Sequence, residues 1–332
     1  METRELGRSG IAVSALALGC WALGGGEGWG DQDESLTIAT IHAALDHGIN
    51  FFDTAEAYGG GNSEEVVGKA LADRRDRAII ATKISPNHTE PSVVRQYCEA
   101  SLRRLRTDFI DVYMVHWPIR THSVAASFAV LQDLKREGKI RSIGLSNFGP
   151  QQLAEAVGTG VQLDVNQLCY NLLSRAIEFE ILPACRRLQI GVTTYMPLLQ
   201  GLLADKYHTP DEVPPFRART RHFQGDRPGS RHGEPGAEVE TFVALAAIRE
   251  IAQELGQPMD SVALAWVMAK PGVTSVLAGA RTPEQVTRNV RSAPLSLPDA
   301  AIARLDQATD ALKRKLGPNA DYFQGHGDSR IQ

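Results

Sequence analysis

The chain has 332 residues, of which 43% are apolar and 22% are charged. This composition supports a large core and excludes a long disordered chain or a collagen-like repeat. Lysine and arginine number 35 and the acidic residues 39, so the net charge of -4 gives no sign of nucleic-acid or anionic-membrane binding. The length fits roughly two average domains or one α/β barrel.

The cysteines and the first residues bear on the cellular compartment. Cys20, Cys98, Cys169 and Cys185 form no C-x-x-C pair, and four cysteines in so long a chain do not make a disulfide framework. Residues 1–10 are mostly polar and the apolar stretch after them is interrupted, which argues against a signal peptide or a membrane span. We therefore expect a cytoplasmic protein.

Eight short β-rich runs alternate with segments of helical spacing. The runs are residues 13–18, 50–53, 78–83, 111–116, 142–146, 165–168, 191–195 and 275–278. Between them, apolar residues recur at steps of three and four, as in Ile38, Ile41 and Leu45, which places them on one helix face. Eight such units predict a closed (β/α)8 TIM barrel, an α/β fold in which residues 1–332 form a single domain.

Two segments interrupt this alternation. Residues 208–238 are rich in proline and glycine and carry five arginines, at positions 217, 219, 221, 227 and 231. An irregular stretch this long inside a compact barrel is typically a functional lid or a disordered excursion. Residues 317–332 form a polar, irregular C-terminal tail, which either frames the barrel mouth or frays.

Polar residues stand at the predicted C-terminal ends of the strands, where barrel enzymes carry their active sites. They are Asp53 with Tyr58 soon after it, Lys83, His116, Ser146 with Asn147, Gln167 and Tyr195. Each alone has an ordinary structural explanation, such as a helix cap, a solvated charge or a satisfied core histidine.

The first four of these residues have a joint chemical logic. A tyrosine with a pKa near 10 is a poor proton donor and acceptor at neutral pH unless a cation lowers that pKa. Lys83, held by Asp53, would be the cation for Tyr58. The set therefore predicts proton transfer at the barrel mouth.

Five segments in this order carry a resemblance to a known family. They read GINFFDTAEAYG (48–59), SEEVVGKAL (63–71), ATK (81–83), DVYMVHWP (111–118) and GLSNF (144–148). Together they resemble the aldo-keto reductase superfamily, in particular its bacterial-type branch with a glycine-rich first loop, here residues 24–30. The resemblance runs from the first strand to about Asn289.

The resemblance implies roles for the four strand-end residues. Tyr58 is the implied general acid and base, Lys83 and Asp53 are the partners that lower its pKa, and His116 orients the substrate carbonyl. The implied substrate pocket contains Trp21, Tyr58, His116 and Trp117. For the two tryptophans, ordinary core packing is the alternative.

The resemblance also implies a nicotinamide cofactor, whose ring would stack on Tyr195. Ser146, Asn147 and Gln167 would bond its carboxamide, and Lys206 would meet its pyrophosphate. The implied contacts are Trp21, Asp53, Ser146, Asn147, Gln167, Tyr195, Leu198, Gln200, Gly201, Leu202, Lys206, Gly279, Ala280, Arg281, Gln285, Arg288 and Asn289. The last six of these, from Gly279 onward, lie where the family binds the adenosine end at a helix N-terminus.

Cofactor preference follows from two departures from the family pattern. Gly279 and Gln285 stand where the best-known vertebrate members carry a lysine and an arginine that grip the 2′-phosphate of NADP. Arg281 and Arg288 are available substitutes, so NADP(H) is favoured and NAD(H) is possible. Residues 208–238 would then begin beside the pyrophosphate and close as a cofactor lid, with a mobile surface loop as the alternative.

Other site classes find less support. The glycine runs at 24–30 and 59–61 match neither G-x-G-x-x-G nor G-x-x-x-x-G-K-[ST], which excludes Rossmann and Walker sites. The first run brings Trp29 near the substrate opening or forms a plain turn. Without H-x-H or H-E-x-x-H, no metal site is expected.

The sequence thus predicts an NAD(P)H-dependent reductase of an aldehyde or ketone, possibly a sugar or another small carbonyl. Its partner would be a small carbonyl or alcohol, with no nucleic acid or membrane partner. The alternatives are a nucleotide-sensing regulatory subunit with little turnover and a Schiff-base aldolase that uses Lys83. Substrate identity, reaction direction and oligomeric state stay open.

Overall fold

The computed structural model describes residues 1–26 and 28–332, so Glu27 of the glycine-rich loop lies outside the described residues. A closed parallel barrel forms the centre, with strand order β10-β3-β4-β5-β6-β7-β8-β9. Its strands are β3 (Leu16–Gly19), β4 (Phe51–Asp53), β5 (Ile79–Ile84), β6 (Ile110–Val115), β7 (Ile140–Ser146), β8 (Val165–Cys169), β9 (Gly191–Tyr195) and β10 (Val273–Gly279). The predicted TIM barrel is confirmed.

An antiparallel hairpin of β1 (Thr3–Glu5) and β2 (Ala12–Ser14) precedes the barrel. The sequence prediction missed this hairpin and was wrong to read 13–18 as one strand. The break comes at Ala15, across which the Ser14 hydroxyl donates to Leu16 O at 2.7 Å. Leu6, inside the hairpin, is buried in the same apolar cluster as Phe51 and Val112. The hairpin therefore closes the N-terminal end of the barrel, opposite the strand ends that carry the candidate site.

Helices cover the outside of the barrel. They are α1 (Glu34–Asp46), α2 (Asn62–Leu71), α3 (Val94–Leu105), α4 (Val124–Arg136), α5 (Pro150–Gly158), α6 (Ile181–Arg187), α7 (Glu238–Glu254), α8 (Met259–Ala269), α9 (Pro283–Val290) and α10 (Asp299–Leu316). Side chains set several starts: Asp33 accepts from Leu36 N, Ser123 from Ala126 N and Thr282 from Gln285 N. Such caps satisfy backbone donors that a helix leaves unpaired.

The core lies between these helices and the strands. Ile41 and Leu45 of α1 are buried with Phe52 of β4, as the helical spacing predicts. Every residue of β6 is buried, because a central parallel strand is covered on both faces. Within the described residues, no helix combines the length and apolarity needed to cross a bilayer.

Residues 208–238 contain two short 3-10 turns, Pro210–Glu212 and Pro215–Arg217, before α7 begins at Glu238. The segment is anchored through Arg221, which donates to Glu234 at 2.7 Å and to the carbonyls of Leu316 and Asn319 at 2.8 and 3.1 Å. It thereby docks on the C-terminal tail, residues 317–332. The tail in turn packs on the barrel, since Ala176 N donates to the Tyr322 hydroxyl at 2.9 Å.

Candidate active site

Three neighbouring strands bring the predicted catalytic residues together. Asp53 ends β4, Lys83 lies near the end of β5, and His116 directly follows β6. The Lys83 ammonium donates to Asp53 Oδ1 at 2.6 Å, to Thr54 O at 2.8 Å and to the Tyr58 hydroxyl at 3.3 Å. The four residues form one cluster at the C-terminal end of the barrel, where sequence reasoning placed them.

The backbone around Tyr58 fixes the position of its ring. Tyr58 begins a 3-10 turn, Tyr58–Gly61, in which Gly59 has φ 58°. A Cβ on Gly59 would lie 2.3 Å from Gly24 O. Only glycine tolerates both this φ and this approach. The turn thus packs closely on the first barrel loop, which fixes where the Tyr58 hydroxyl lies relative to Lys83.

Lys83 is charged although it is fully buried. Burial alone would lower the pKa of Lys83, but the Asp53 carboxylate and the Tyr58 oxygen raise it above its ordinary value. A permanent ammonium does not attack a carbonyl as a nucleophile, since that step needs the neutral amine. The raised pKa of Lys83 therefore argues against a Schiff-base aldolase.

The pKa of Tyr58 departs from the sequence-based expectation. Burial of the hydroxyl raises it above the ordinary value, the Lys83 ammonium opposes the rise, and the Asp53 carboxylate adds to it. Lys83 lowers the pKa of Tyr58, as the resemblance implies, whereas the expectation that Asp53 also lowers it is wrong, because the Asp53 carboxylate itself raises it. A phenol that keeps its proton at neutral pH is suited to donate it to a developing alkoxide, whose pKa is higher still.

His116 faces Tyr58, with ring centroids 5.6 Å apart in an edge-on arrangement. Burial, with the nearby Lys83 charge, lowers the pKa of His116 to about 3. The imidazole is therefore neutral at physiological pH. It can orient a carbonyl oxygen by a hydrogen bond without adding a second full charge to the site.

The ends of β7, β8 and β9 supply a second group of polar contacts. Gln167 Nε2 donates to Asp53 Oδ2 at 2.7 Å, and Tyr195 donates its hydroxyl proton to Asn147 Oδ1 at 2.8 Å. Asn147 Nδ2 donates to His116 O at 3.2 Å and to Ser146 Oγ at 3.1 Å. These residues adjoin the catalytic cluster, in the place expected for the carboxamide contacts.

The chain after β9 forms a cradle suited to anions. Leu199 and Gln200 have φ of 40° and 53°, and Gly201 has φ 108°. Leu199 N and Gly201 N donate to the carbonyls of Met196 and Leu198 at 2.9 and 3.0 Å, so the group that this turn offers an anion is Gln200, through its backbone and side-chain N–H groups. Gln200 Nε2 is a buried donor without a partner among the described residues. Leu198 precedes this turn, and Leu202 within it is buried. The cradle fits a cofactor pyrophosphate.

Three cations lie together beside this cradle. Partial burial lowers the pKa of Lys206, and the positive charges of Arg217 and Arg288 lower it further. Arg217 comes from the 208–238 segment and donates to the Tyr207 hydroxyl at 2.8 Å. Sequence reasoning counted Arg217 among the five arginines of the expected cofactor lid but did not single it out as a contact. No periodic pattern connects it to Lys206, so only the fold shows the proximity.

Arg281 is engaged with the first barrel loop. Its guanidinium donates to Trp29 O at 2.8 Å, to Asp31 O at 2.7 Å and to Gln32 Oε1 at 2.7 Å. Two of its five N–H groups are left for a phosphate. The predicted contact with a 2′-phosphate therefore stays a prediction.

The remaining predicted adenosine contacts surround the N-terminus of α9. Gln285 Oε1 accepts from Arg281 N at 2.8 Å, and Asn289 Nδ2 donates to Gly279 O at 3.1 Å. Ala280, between these segments, is buried. A Cβ on Gly279 would meet no atom within 4 Å, so this side of the segment is open to a ligand.

Aromatic rings also lie beside the catalytic cluster. The Trp21 ring lies 6.0 Å from that of Tyr58 and 5.3 Å from that of Trp29, centroid to centroid. Trp21 is 36% exposed, which excludes ordinary core packing for it. Trp117, half-buried, has the Arg330 guanidinium 3.7 Å from its ring centroid. Arg330 did not figure in the sequence predictions.

Among the described residues, no three His, Cys, Asp or Glu side chains lie close enough together to hold a metal ion. The four cysteines are free and buried.

A family model described as "Aldo/keto reductase family" matches residues 15–310. The chain belongs to the aldo/keto reductase family. The resemblance stated from the sequence motifs is confirmed.

Relatives support this assignment over almost the whole chain. An NADH-specific methylglyoxal reductase of Escherichia coli K12 is 36% identical over 95% of this chain and 100% of the relative. A probable voltage-gated potassium channel subunit beta of Arabidopsis thaliana is 31% identical over 88% of this chain and 91% of the relative.

Solved structures of the family share the fold. The glycerol dehydrogenase of Gluconobacter oxydans superposes with a TM-score of 0.79, 33% identity and coverage of 96% of each chain. An aldo/keto reductase of Klebsiella pneumoniae, solved in complex with NADP and acetate, gives a TM-score of 0.74 at 28% identity over 99% of this chain and 98% of that one.

Proposed function

We propose that this aldo/keto reductase family member reduces an aldehyde or ketone to an alcohol with NAD(P)H, using Tyr58 as general acid. One observation carries the proposal: a buried ammonium, Lys83, bonded to both Asp53 and the Tyr58 hydroxyl. This arrangement supplies a proton donor together with a fixed cation for the phenolate that the transfer leaves behind.

Each residue of the cluster has one task in this scheme. A bound nicotinamide would supply the hydride. Neutral His116 hydrogen-bonds the substrate oxygen, and Tyr58 gives its hydroxyl proton to that oxygen as negative charge develops. Lys83 stabilises the resulting phenolate, and Asp53 keeps Lys83 charged and in place.

The cofactor is NADP(H) by preference in this proposal, with NAD(H) as the other candidate. Lys206, Arg217 and Arg288 concentrate positive charge beside the anion cradle, and Arg281 has two N–H groups to add. An arginine cluster suits the extra phosphate of NADP. The Klebsiella protein was solved with NADP, whereas the E. coli relative is named NADH-specific, which keeps NAD(H) open.

Residues 208–238 act as a cofactor lid in this proposal. The segment begins two residues after Lys206 and contributes Arg217 to the cation cluster. Its Phe216 ring packs against Gly28, where an added Cβ would lie 1.9 Å from the ring. Two loops thus meet beside the cofactor cradle. Closing over the cofactor would exclude water and slow release.

A regulatory role is the second candidate, because relatives are named as potassium channel beta subunits. One experiment separates the two. The purified protein is titrated with NADPH and NADH, and turnover is then followed at 340 nm, the nicotinamide absorbance, with aldehydes, ketones and sugars. We expect binding and reduction of at least one carbonyl class. Tight binding without turnover of any carbonyl would contradict the reductase and support the regulatory subunit.

A further inference from the structure

The C-terminal tail reaches the substrate side of the barrel mouth. Arg330 places its guanidinium carbon 3.7 Å from the ring centroid of Trp117. Trp117 is joined directly to His116, whose ring faces Tyr58. An arginine from the far end of the chain therefore forms part of the wall next to the catalytic cluster.

Arg330 is held rigidly, although it belongs to an irregular segment. Asp321, which is fully buried, accepts from Arg330 Nε at 2.7 Å, from Nη2 at 2.8 Å and from the backbone N at 3.1 Å. Arg120, three residues after Trp117, donates to Ser329 O at 2.7 Å. A guanidinium fixed by a two-point carboxylate contact and an aromatic face loses little further freedom when it binds a ligand.

The pair of Arg330 and Asp321 also lies close to the end of β9. Burial is the main cause of the raised pKa of Tyr195, and the charges of Asp321 and Arg330 both act on that hydroxyl. Arg330 is thus near both Trp117, which follows β6, and Tyr195, which ends β9.

Arg330 retains donors for a ligand. Asp321 uses its Nε and one Nη2 hydrogen, and within the described residues no protein acceptor bonds Nη1. The side chain is 30% exposed, so the guanidinium is not sealed off from a ligand. The bond to Asp321 also neutralises the charge of Arg330. Arg330 with Asp321, Lys83 with Asp53, and neutral His116 together make a wall without net charge.

We propose that Arg330 is a specificity-determining residue that hydrogen-bonds an oxygen substituent on the carbon next to the reacting carbonyl. The substrate class is small, uncharged hydroxy- or oxo-aldehydes and the corresponding ketones. A neutral wall with outward donors favours such molecules over purely apolar aldehydes, whose binding would leave those donors unpaired. This inference rests on the proposed reductase function.

The test compares two aldehydes of equal carbon number, glyceraldehyde and propanal, with NADPH as cofactor. For Arg330→Met we expect kcat/KM for glyceraldehyde to fall about 10- to 100-fold, as for a lost hydrogen bond to a charged group, while propanal changes by less than about threefold. Arg314→Met, which removes an exposed arginine of α10, is the matched control and should change neither value.

A folding check accompanies the comparison, with Tm and the Kd for NADPH measured for each variant. If Arg330→Met does not fold, Arg330→Lys replaces it. Lysine keeps a cation near the ring but cannot pair with Asp321 at two points, and we expect a loss of about 3- to 10-fold for glyceraldehyde alone.

Three results would overturn the inference, and they are distinguishable from failure of the proposed function. Equal losses for both aldehydes would mean that Arg330 only supports Trp117. If the wild-type protein has equal kcat/KM values for the two aldehydes and the substitution changes neither, Arg330 contacts no substrate oxygen. Absence of wild-type turnover with any carbonyl would overturn the reductase proposal and this inference together.

Discussion

The Lys83 ammonium lies 3.3 Å from the Tyr58 hydroxyl and is buried from solvent. It bonds Asp53 more closely, at 2.6 Å, so its charge is compensated before any ligand arrives. The tyrosine therefore stays protonated while the cation that would stabilise its phenolate is already in place. Reduction requires this combination, because the proton leaves only as hydride transfer makes the carbonyl oxygen basic.

Tyr58→Phe should remove most carbonyl reduction and leave cofactor binding intact. The change deletes only the hydroxyl, and general acid catalysis commonly contributes about 10² to 10⁴ in rate. Steady-state turnover and fluorescence titration with NADPH measure the two effects. Tyr97→Phe removes a hydroxyl outside the cluster, on a ring stacked against His88, and should keep full activity. Wild-type turnover in Tyr58→Phe would contradict the assignment.

Lys83→Met should lower activity and move the pH profile. The ammonium lowers the pKa of Tyr58 against the rise caused by burial, so its removal raises that pKa further. Reduction needs the protonated phenol and declines as pH rises through the pKa. Its alkaline limb should therefore shift to higher pH. In alcohol oxidation the phenolate is needed, and the activity rise should likewise shift upward. An unchanged profile in a folded, partly active variant would rule out this coupling.

Arg217→Ala should weaken NADPH far more than NADH. Only NADPH carries the 2′-phosphate, and losing one charge-assisted hydrogen bond costs about one to two decades in affinity. Arg281→Ala should weaken both cofactors, and NADPH more, because Arg281 also holds three oxygens of the first loop. Fluorescence titration of both variants with NADPH and with NADH measures these affinities. Equal losses for the two cofactors in Arg281→Ala would assign the 2′-phosphate to Arg217 and Arg288.

Hydrogen exchange should report closure of the 208–238 segment. Cofactor binding is expected to raise protection across residues 216–231, since Arg217 would gain a phosphate partner and Phe216 already contacts Gly28. Residues 94–105 of α3, outside the mouth, serve as the internal reference. If exchange in 216–231 stays fast at saturating NADPH, the segment is not a lid.

Glu178 should make the free energy of unfolding depend on pH. Burial opposes its charge, but bonds from Arg175, Lys313 and Tyr170 outweigh this and lower the pKa of Glu178 to about 2. A carboxylate with a depressed pKa stabilises the fold above its unfolded pKa, near 4.3, and loses this contribution as pH falls toward 2. Glu178→Gln should therefore lower Tm at pH 7, and its difference from the parent should shrink between about pH 4.5 and 2.

The thermal scan of Glu178→Gln needs a surface control. Glu180→Gln changes an exposed neighbouring carboxylate, for which no ion pair is formed with the described residues, and should leave Tm nearly unchanged at every pH. A Tm difference for Glu178→Gln that stays constant from pH 7 to 2.5 would show that the loss comes from packing instead of charge.

The sequence alone determined the barrel and its catalytic cluster. β-rich runs alternating with helical spacing allow few arrangements, and parallel strands in a barrel end at one mouth. Asp53, Lys83 and His116 could therefore be placed together although about 30 residues separate each from the next in the chain. The family motifs added the assignment of roles, and the comparisons bear out the family.

Only the tertiary structure decided the contacts of the irregular segments. Arg217 and Arg330 lie in stretches without periodicity, and Arg281 could have met a phosphate or a loop. The partners of all three depend on how those stretches dock. The net pKa of Tyr58 also depends on burial, which works against Lys83 and is invisible in the order of residues. Local pattern sets which elements form, whereas docking and desolvation set which charges meet and which way each proton equilibrium moves.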